Sequence, residues 1–295
     1  MTAGGPPGFP DLPPGRQVDL PGRGSTFVRE GGAGRDAGRD VLLLHGLTST
    51  ADLCWFSTFP LLTGSHRVVA PDMRGHGSSS FRGPVTLEAL TGDAAALIEV
   101  LGLSRPIVAG FSMGGVVAQL LWNARPDLCS GLVLCATASD WRPETLRQRA
   151  EMAVRGSTAA LLRLAPSRVS ERAERLVGGL GRSRTTVPSD DPLRRWAQAE
   201  IARSPARGVL EATVALRRAD TTSFVRGIDV PTAVVVPESD TVVDPARQER
   251  LASSIPGSHV LRLPGPHALF IEDPHPFGTA VAEAVAWVES RGAKR

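Results

Sequence analysis

Short, wholly apolar runs recur along the chain, at residues 41–44, 68–70, 107–109, 132–135 and 234–236. A run of this length with no polar alternation is a strand buried on both faces, because a half-exposed strand would show a period of two. Between the runs lie helical patterns, most clearly at 87–101 and 116–122, so strands and helices alternate at the spacing of βαβ units. An antiparallel hairpin is expected first, with strands at 16–19 and 25–30 around a turn at 20–24. A helix at 245–254, a strand near 260–263 and a last helix at about 276–290 close the chain. The expected fold class is therefore α/β, a mostly parallel sheet flanked by helices.

The alternation stops between residues 140 and 227. That segment has no convincing strand and several amphipathic stretches rich in Arg and Glu, at 144–155, 170–177 and 193–203, so it reads as an inserted helical cap. Its 17 arginines against 10 acids give +7, while the rest of the chain carries −4. The expected organisation is a flexible tail at 1–14, a core made of 15–139 and 228–295, and the cap at 140–227. Of 33 basic residues only Lys294 is lysine, which fits a coding bias toward arginine.

Composition removes several classes of function. With 42% apolar and 21% charged residues the chain is globular in type, neither disordered nor membrane-embedded. A net charge of +3 argues against a nucleic-acid binder, which concentrates a basic excess. Cys54, Cys129 and Cys135 match no zinc motif and no disulfide framework, and read as buried thiols. The N-terminus lacks the charged and apolar regions of a secretory signal, and no run reaches the ~18 apolar residues of a membrane span, so the expected location is cytoplasmic.

The chemistry centres on Gly110-Phe111-Ser112-Met113-Gly114-Gly115, which leaves an apolar strand and opens a helix. A serine on so sharp a turn projects outward, and the flanking glycines leave room for the crossing strand and helix. A serine hydroxyl is a weak nucleophile at neutral pH, so the motif demands a histidine base and an acid that holds the histidine's tautomer. In chain order the candidates are Asp240, in the loop after strand 234–236, and His267, in the loop after strand 260–263. Glu238 and Asp244 flank the acid, but Asp244 precedes Pro245 and suits a helix N-cap. His45-Gly46-Leu47-Thr48 follows strand 41–44, where a loop amide completes an oxyanion hole, so the two donors are assigned to the backbone N–H groups of Leu47 and Met113. His45 reads as a residue that orients its loop. Asp72 and His76 lack a third ligand at metal spacing. No Gly-x-Gly-x-x-Gly or Gly-Lys-Ser/Thr motif is present, so no cofactor is expected. Trp55, Trp141 and Trp196 could line a pocket or pack in the core.

Taken together, the His45-Gly46 loop, the Asp72-Met73-Arg74-Gly75-His76-Gly77-Ser78-Ser79 turn, the Ser112 elbow, the Ser239-Asp240 loop and the Pro266-His267 loop with Glu272 resemble the α/β-hydrolase fold superfamily, in its serine-nucleophile esterase and haloperoxidase-like branch. The resemblance implies scaffold roles for His45 and Asp72, and a helical cap where 140–227 falls. Ser112, in place of the aspartate of dehalogenases and epoxide hydrolases, points to carboxylic-ester hydrolysis of a small acyl or ester substrate. Thioester or C–C hydrolysis and acyl transfer would use the same triad. A non-catalytic small-ligand receptor on the same fold is the reading from another class, which the intact triad disfavours.

Overall fold

The computed structural model describes residues 5–6, 8–32, 39–81, 83–142 and 190–292. Their strands form one nine-stranded sheet: β1 (Gly15–Leu20), β2 (Gly24–Gly31), β3 (Val41–Leu44), β4 (Val68–Pro71), β5 (Ser80–Phe81), β6 (Ile107–Phe111), β7 (Gly131–Cys135), β8 (Thr232–Pro237) and β9 (His259–Leu263). The order across the sheet is β1-β2-β4-β3-β6-β7-β8-β9, with β5 paired to the outer part of β2. β1 and β2 form the expected hairpin, β2 joins β4 antiparallel, and every pairing from β4 to β9 is parallel.

The apolar runs are strands with helices on both faces. Leu42, Leu44, Val108, Leu132, Leu134, Val234 and Val236 point into one core layer, and Val41, Leu43, Ile107, Ala109, Val133, Ala233 and Val235 into the other. The first layer is closed by α3 (Leu87–Leu101), α4 (Met113–Ala124) and α7 (Pro245–Ser254), through Leu97, Ile98, Val117, Leu121 and Leu251. The second is closed by α1 (Ala51–Trp55), α2 (Phe59–Leu62) and the long C-terminal α9 (Pro274–Gly292), through Leu53, Phe59, Phe277, Val281 and Val285. Trp55 is fully buried and stacks on Phe277, and Trp141 is also buried, so both pack in the interior.

Two helices of the long break are described, α5 (Pro192–Ala202) and α6 (Ala206–Leu216); the stretches read as helical at 144–155 and 170–177 lie outside the described residues. The chain leaves the sheet and returns to it at a shared neck, where Asp140 and Asp220 form an isolated antiparallel bridge. Trp141 N donates to Ala219 O at 3.0 Å and Thr221 N to Ser139 O at 2.7 Å. α5 starts on an Asp191 cap with Pro192 at its first position. A short α8 (Leu269–Glu272), not visible as a periodic pattern at four residues, follows the His267 loop and meets α5 through an Arg194–Glu272 ion pair of 2.6 Å.

The tail expected at 1–14 is not free along its whole length. Phe9 packs edge-on to Phe56 and stacks on His275, and the Pro13 carbonyl accepts from Arg29. Arg29 itself is buried and pairs with buried Asp52 through two bonds of 2.8 Å. A pair removed from water this completely depends on both members, since either one alone is an uncompensated buried charge. Arg29→Met is expected to cost about 3–5 kcal/mol of unfolding free energy, and Arg29→Met with Asp52→Leu to recover most of it. Equilibrium unfolding of the two variants checks this.

Candidate active site

β6 runs into a sharp turn that opens α4. Ser112 adopts φ 53°, ψ −112°, a conformation side chains rarely take, and it is held there from both sides. Its N–H donates to the Cys135 carbonyl at 2.8 Å, and its carbonyl accepts from the Thr137 hydroxyl at 2.8 Å and from Gly115 N at 3.0 Å. The two glycines flanking the serine answer to two neighbours. A Cβ on Gly110 would enter the Gly114 backbone of α4, and one on Gly114 would enter the Leu44 carbonyl at the end of β3. Helix and strand thus cross at backbone contact, which fixes where the hydroxyl points.

His267 stands over that hydroxyl. Its Nε2 lies 3.2 Å from Ser112 Oγ and its Nδ1 2.7 Å from Asp240 Oδ2. The loops carrying the acid and the histidine are stitched together by Glu238 N to Leu263 O at 2.8 Å and Ser239 N to Gly265 O at 3.0 Å. Asp240 is buried, whereas Glu238 next to it is exposed. The other oxygen of Asp240 accepts from Val242 N and Val243 N, both at 2.8 Å, so the carboxylate is held in one plane. Asp244 caps α7 through Ala246 N, which accounts for the second flanking acid. The arrangement can move a proton from the serine hydroxyl to Nε2 and hold the resulting cation against a carboxylate.

The Leu47 and Met113 amides assigned as donors lie on the two backbones that flank Ser112. Met113 begins α4, where N–H groups lack intrahelical acceptors and the helix favours negative charge. Leu47 follows Gly46, whose own Cβ position is 3.4 Å from Ser112 Cβ. His45 shapes this loop: its Nε2 accepts from Met73 N at 2.8 Å, so Nδ1 carries the hydrogen and donates to Gly46 O at 2.7 Å. A proton on Nε2 would face an N–H group.

Behind the loop the scaffold is buried and polar. Asp72 accepts from Ala51 N at 3.0 Å and Ser78 N at 2.8 Å, tying the His45 loop to the glycine-rich turn. His76 lies against His45 with ring centroids 5.3 Å apart, and its Nδ1 is 3.2 Å from Arg74 O. Burial pushes His45 down to about 3 and His76 down to about 4, and pushes Asp72 up to about 6. Among the described residues no group of three His, Cys, Asp or Glu gathers as metal ligands. The thiols of Cys54, Cys129 and Cys135 are free and buried.

Several residues that complete the site carried no motif. Thr137 braces the elbow carbonyl, and Gln248 on α7 donates to Asp240 Oδ2 at 3.0 Å. Glu200 and Arg203 of α5 reach the scaffold: Glu200 accepts from Thr50 Oγ1 at 2.7 Å, and Arg203 bonds both Glu200 and Ser78 Oγ at 2.7 Å. Glu200 and Thr50 are 150 residues apart and Arg203 and Ser78 125, while Thr137 and Gln248, 25 and 8 residues from their partners, share no helical or strand period with them.

A family model described as alpha/beta hydrolase fold matches residues 41–274. A pimeloyl-[acyl-carrier protein] methyl ester esterase of Neisseria meningitidis serogroup C is 28% identical over 232 residues, covering 77% of this chain and 85% of the relative. The enol-lactonase of Burkholderia xenovorans LB400 superposes with a TM-score of 0.71 at 26% identity, over 92% of this chain and all of the other. A thermophilic esterase from Thermogutta terrifontis gives a TM-score of 0.73 at 26% identity, over 94% and 99%.

The scaffold histidines set an acid limit on stability. In the unfolded chain they take protons below pH ~6.5, whereas folded they remain neutral to about 3 and 4, so stability falls as pH drops through that window. Asp72 acts oppositely between ~3.8 and about 6, where the folded state holds the extra proton. At pH 5 the balance is about one proton more in the unfolded state, or ~1.4 kcal/mol lost per pH unit of acidification. Urea titrations at pH 7, 6 and 5 should show a loss of about 1 kcal/mol over the first step and about 1.4 kcal/mol over the second.

Proposed function

The chain belongs to the α/β-hydrolase fold family and is a hydrolase of that family, and from this premise we propose that it cleaves a small-molecule carboxylic ester through an acyl-enzyme on Ser112. The observation that carries the reading is the position of His267, within reach of Ser112 Oγ on one side and Asp240 Oδ2 on the other. The similarity to ester-cleaving relatives supports the same class of bond.

In the proposed reaction His267 Nε2 takes the serine proton as Oγ attacks the ester carbonyl. The negative charge that develops on the carbonyl oxygen falls to the Leu47 and Met113 amides, each donor of this kind being worth about 2.7–4 kcal/mol in the transition state. Collapse breaks the C–O bond, and the imidazolium delivers its proton to the departing alcohol. The histidine then draws a proton from water, hydroxide adds to the acyl carbon, and the second collapse returns the proton to Oγ and releases the acid. Asp240 keeps the hydrogen on Nδ1 and stabilises the cation without being protonated itself. No step calls on a metal or cofactor.

The segment 140–227 is proposed as a cap over this site. Its support is the neck at Asp140 and Asp220, together with the seating of α5 on the Thr50 and Ser78 turns beside the His45 loop. A cap so placed would restrict water and select the acyl or alcohol group. Among the described residues no helix is long and apolar enough to cross a membrane.

A fluorophosphonate probe is expected to label the wild type and not Ser112→Ala, and a well-folded wild type that resists labelling would favour a receptor. With p-nitrophenyl esters of graded chain length, Asp240→Asn is expected to retain its fold and lose about 10⁴-fold in turnover, because the histidine is left in the wrong tautomer. Unchanged turnover would remove Asp240 from the site.

A further inference from the structure

Gln248 is fully buried at the first turn of α7, and its side-chain amide is committed in an unequal way. Nε2 donates one hydrogen to Asp240 Oδ2 at 3.0 Å and the other to the Val243 carbonyl at 2.8 Å. Oε1 is buried without a hydrogen-bond partner. The amide cannot be turned over to relieve this, since Oε1 would then face a carboxylate oxygen and a carbonyl oxygen. A side chain of the same length with no polar atoms would fill the position equally well but would leave the buried Val243 carbonyl and one side of Asp240 Oδ2 without this donor. The donor is therefore present for its two acceptors and not for packing.

One of those acceptors is the oxygen that His267 uses. Asp240 Oδ2 receives His267 Nδ1 at 2.7 Å and Gln248 Nε2 at 3.0 Å, while Oδ1 receives the two loop amides. The loop amides fix one end of the carboxylate, and without Gln248 the other end would be held by the histidine alone, the partner that has to move charge during the reaction. We infer that Gln248 is a positioning residue for the triad, a neutral donor that locks Asp240 Oδ2 in line with His267 and ties it to the loop at Val243. The inference rests on the reading of Asp240 as the triad acid, and it names a residue through which the helix after the acid loop acts on the rate.

Two variants test it on the full-length protein. Gln248→Met keeps the shape and removes the donor; Gln248→Glu keeps the shape and sets a second carboxylate against Asp240. The expected result is a kcat reduced by about tenfold in Gln248→Met, the scale of losing a group that orients a catalytic side chain, with KM for a p-nitrophenyl ester within about twofold. Gln248→Glu should fall further in kcat. Thermal stability of Gln248→Met should stay close to that of the wild type, because removal of the unsatisfied oxygen offsets the bonds lost at Asp240 and Val243. A kcat unchanged in Gln248→Met, or a loss that only follows a lowered melting temperature, overturns the inference. Asp240→Asn measured alongside separates the two claims: if it is inactive while Gln248→Met is wild-type in rate, the triad stands and Gln248 is a packing residue. If Asp240→Asn is fully active, both fall.

Discussion

The crossing of α4 over the end of β3 at backbone distance is the constraint on which the site depends. It requires glycine at 114, while the fold-back of α4 onto β6 requires glycine at 110, and together they force the intervening Ser112 into a backbone conformation that costs of order 1–3 kcal/mol. That strain persists because neighbours over-determine the turn. β7 supplies the Cys135 carbonyl beneath the serine amide, and Thr137 just beyond it holds the serine carbonyl. With the elbow held, the hydroxyl has one place to be. β8 and β9, joined in parallel register on the same side of β7, then bring their C-terminal loops to it from one direction.

A second layer of order lies behind the elbow and is polar throughout. Arg29, Asp52, Asp72, Glu200 and Arg203 form a chain of charges in which Arg203 lies 3.7 Å from both Asp52 and Asp72. Buried charges are weak sources of stability but strong sources of position, since displacement leaves a partner exposed to a low dielectric. Here they couple the His45 loop, the glycine-rich turn and α5. Backbone packing does the same one step on: a Cβ on Gly75 would lie 2.9 Å from the Gly208 Cα in α6. The glycine-rich turn is thus a seat for the helices of the long break, and His76 and Asp72 are part of that seat.

The elements that could be read from sequence are those whose cause is local. The apolar runs became strands because both faces of the sheet are covered, and 87–101 and 245–254 became helices with the bounds their patterns and caps imply. Ser112 and His267 were legible because an elbow and a loop after the last strand each have a position in chain order. Asp240 was legible against Glu238 only through its place in the loop; the structure adds that one is buried and the other exposed. Gln248, Thr137, Glu200 and Arg203 were not legible, because each acts on a partner supplied by a different element. The proline and glycine content of 1–14 reads as a flexible tail, yet Phe9 and Pro13 find partners on the core.

Several of the arginines behind the basic excess of 140–227 are committed to ion pairs. An unpaired arginine face would attract an acidic or phosphate-bearing group at long range, whereas an arginine in a bidentate or short ion pair has its field largely cancelled nearby. Among the described residues of that segment, Arg142 pairs with Asp140 and Asp220, Arg194 with Glu272, Arg203 with Glu200, and Arg207 with Glu211. Arg142 closes the neck, while Arg194 and Arg203 reach from α5 to α8 and to the Ser78 turn. Arginine suits this work because its planar fork can hold two acceptors at once, as Arg203 does with Glu200 and Ser78. Arg142, Arg194 and Arg203 thus fasten the described helices of the long break to the rim of the site.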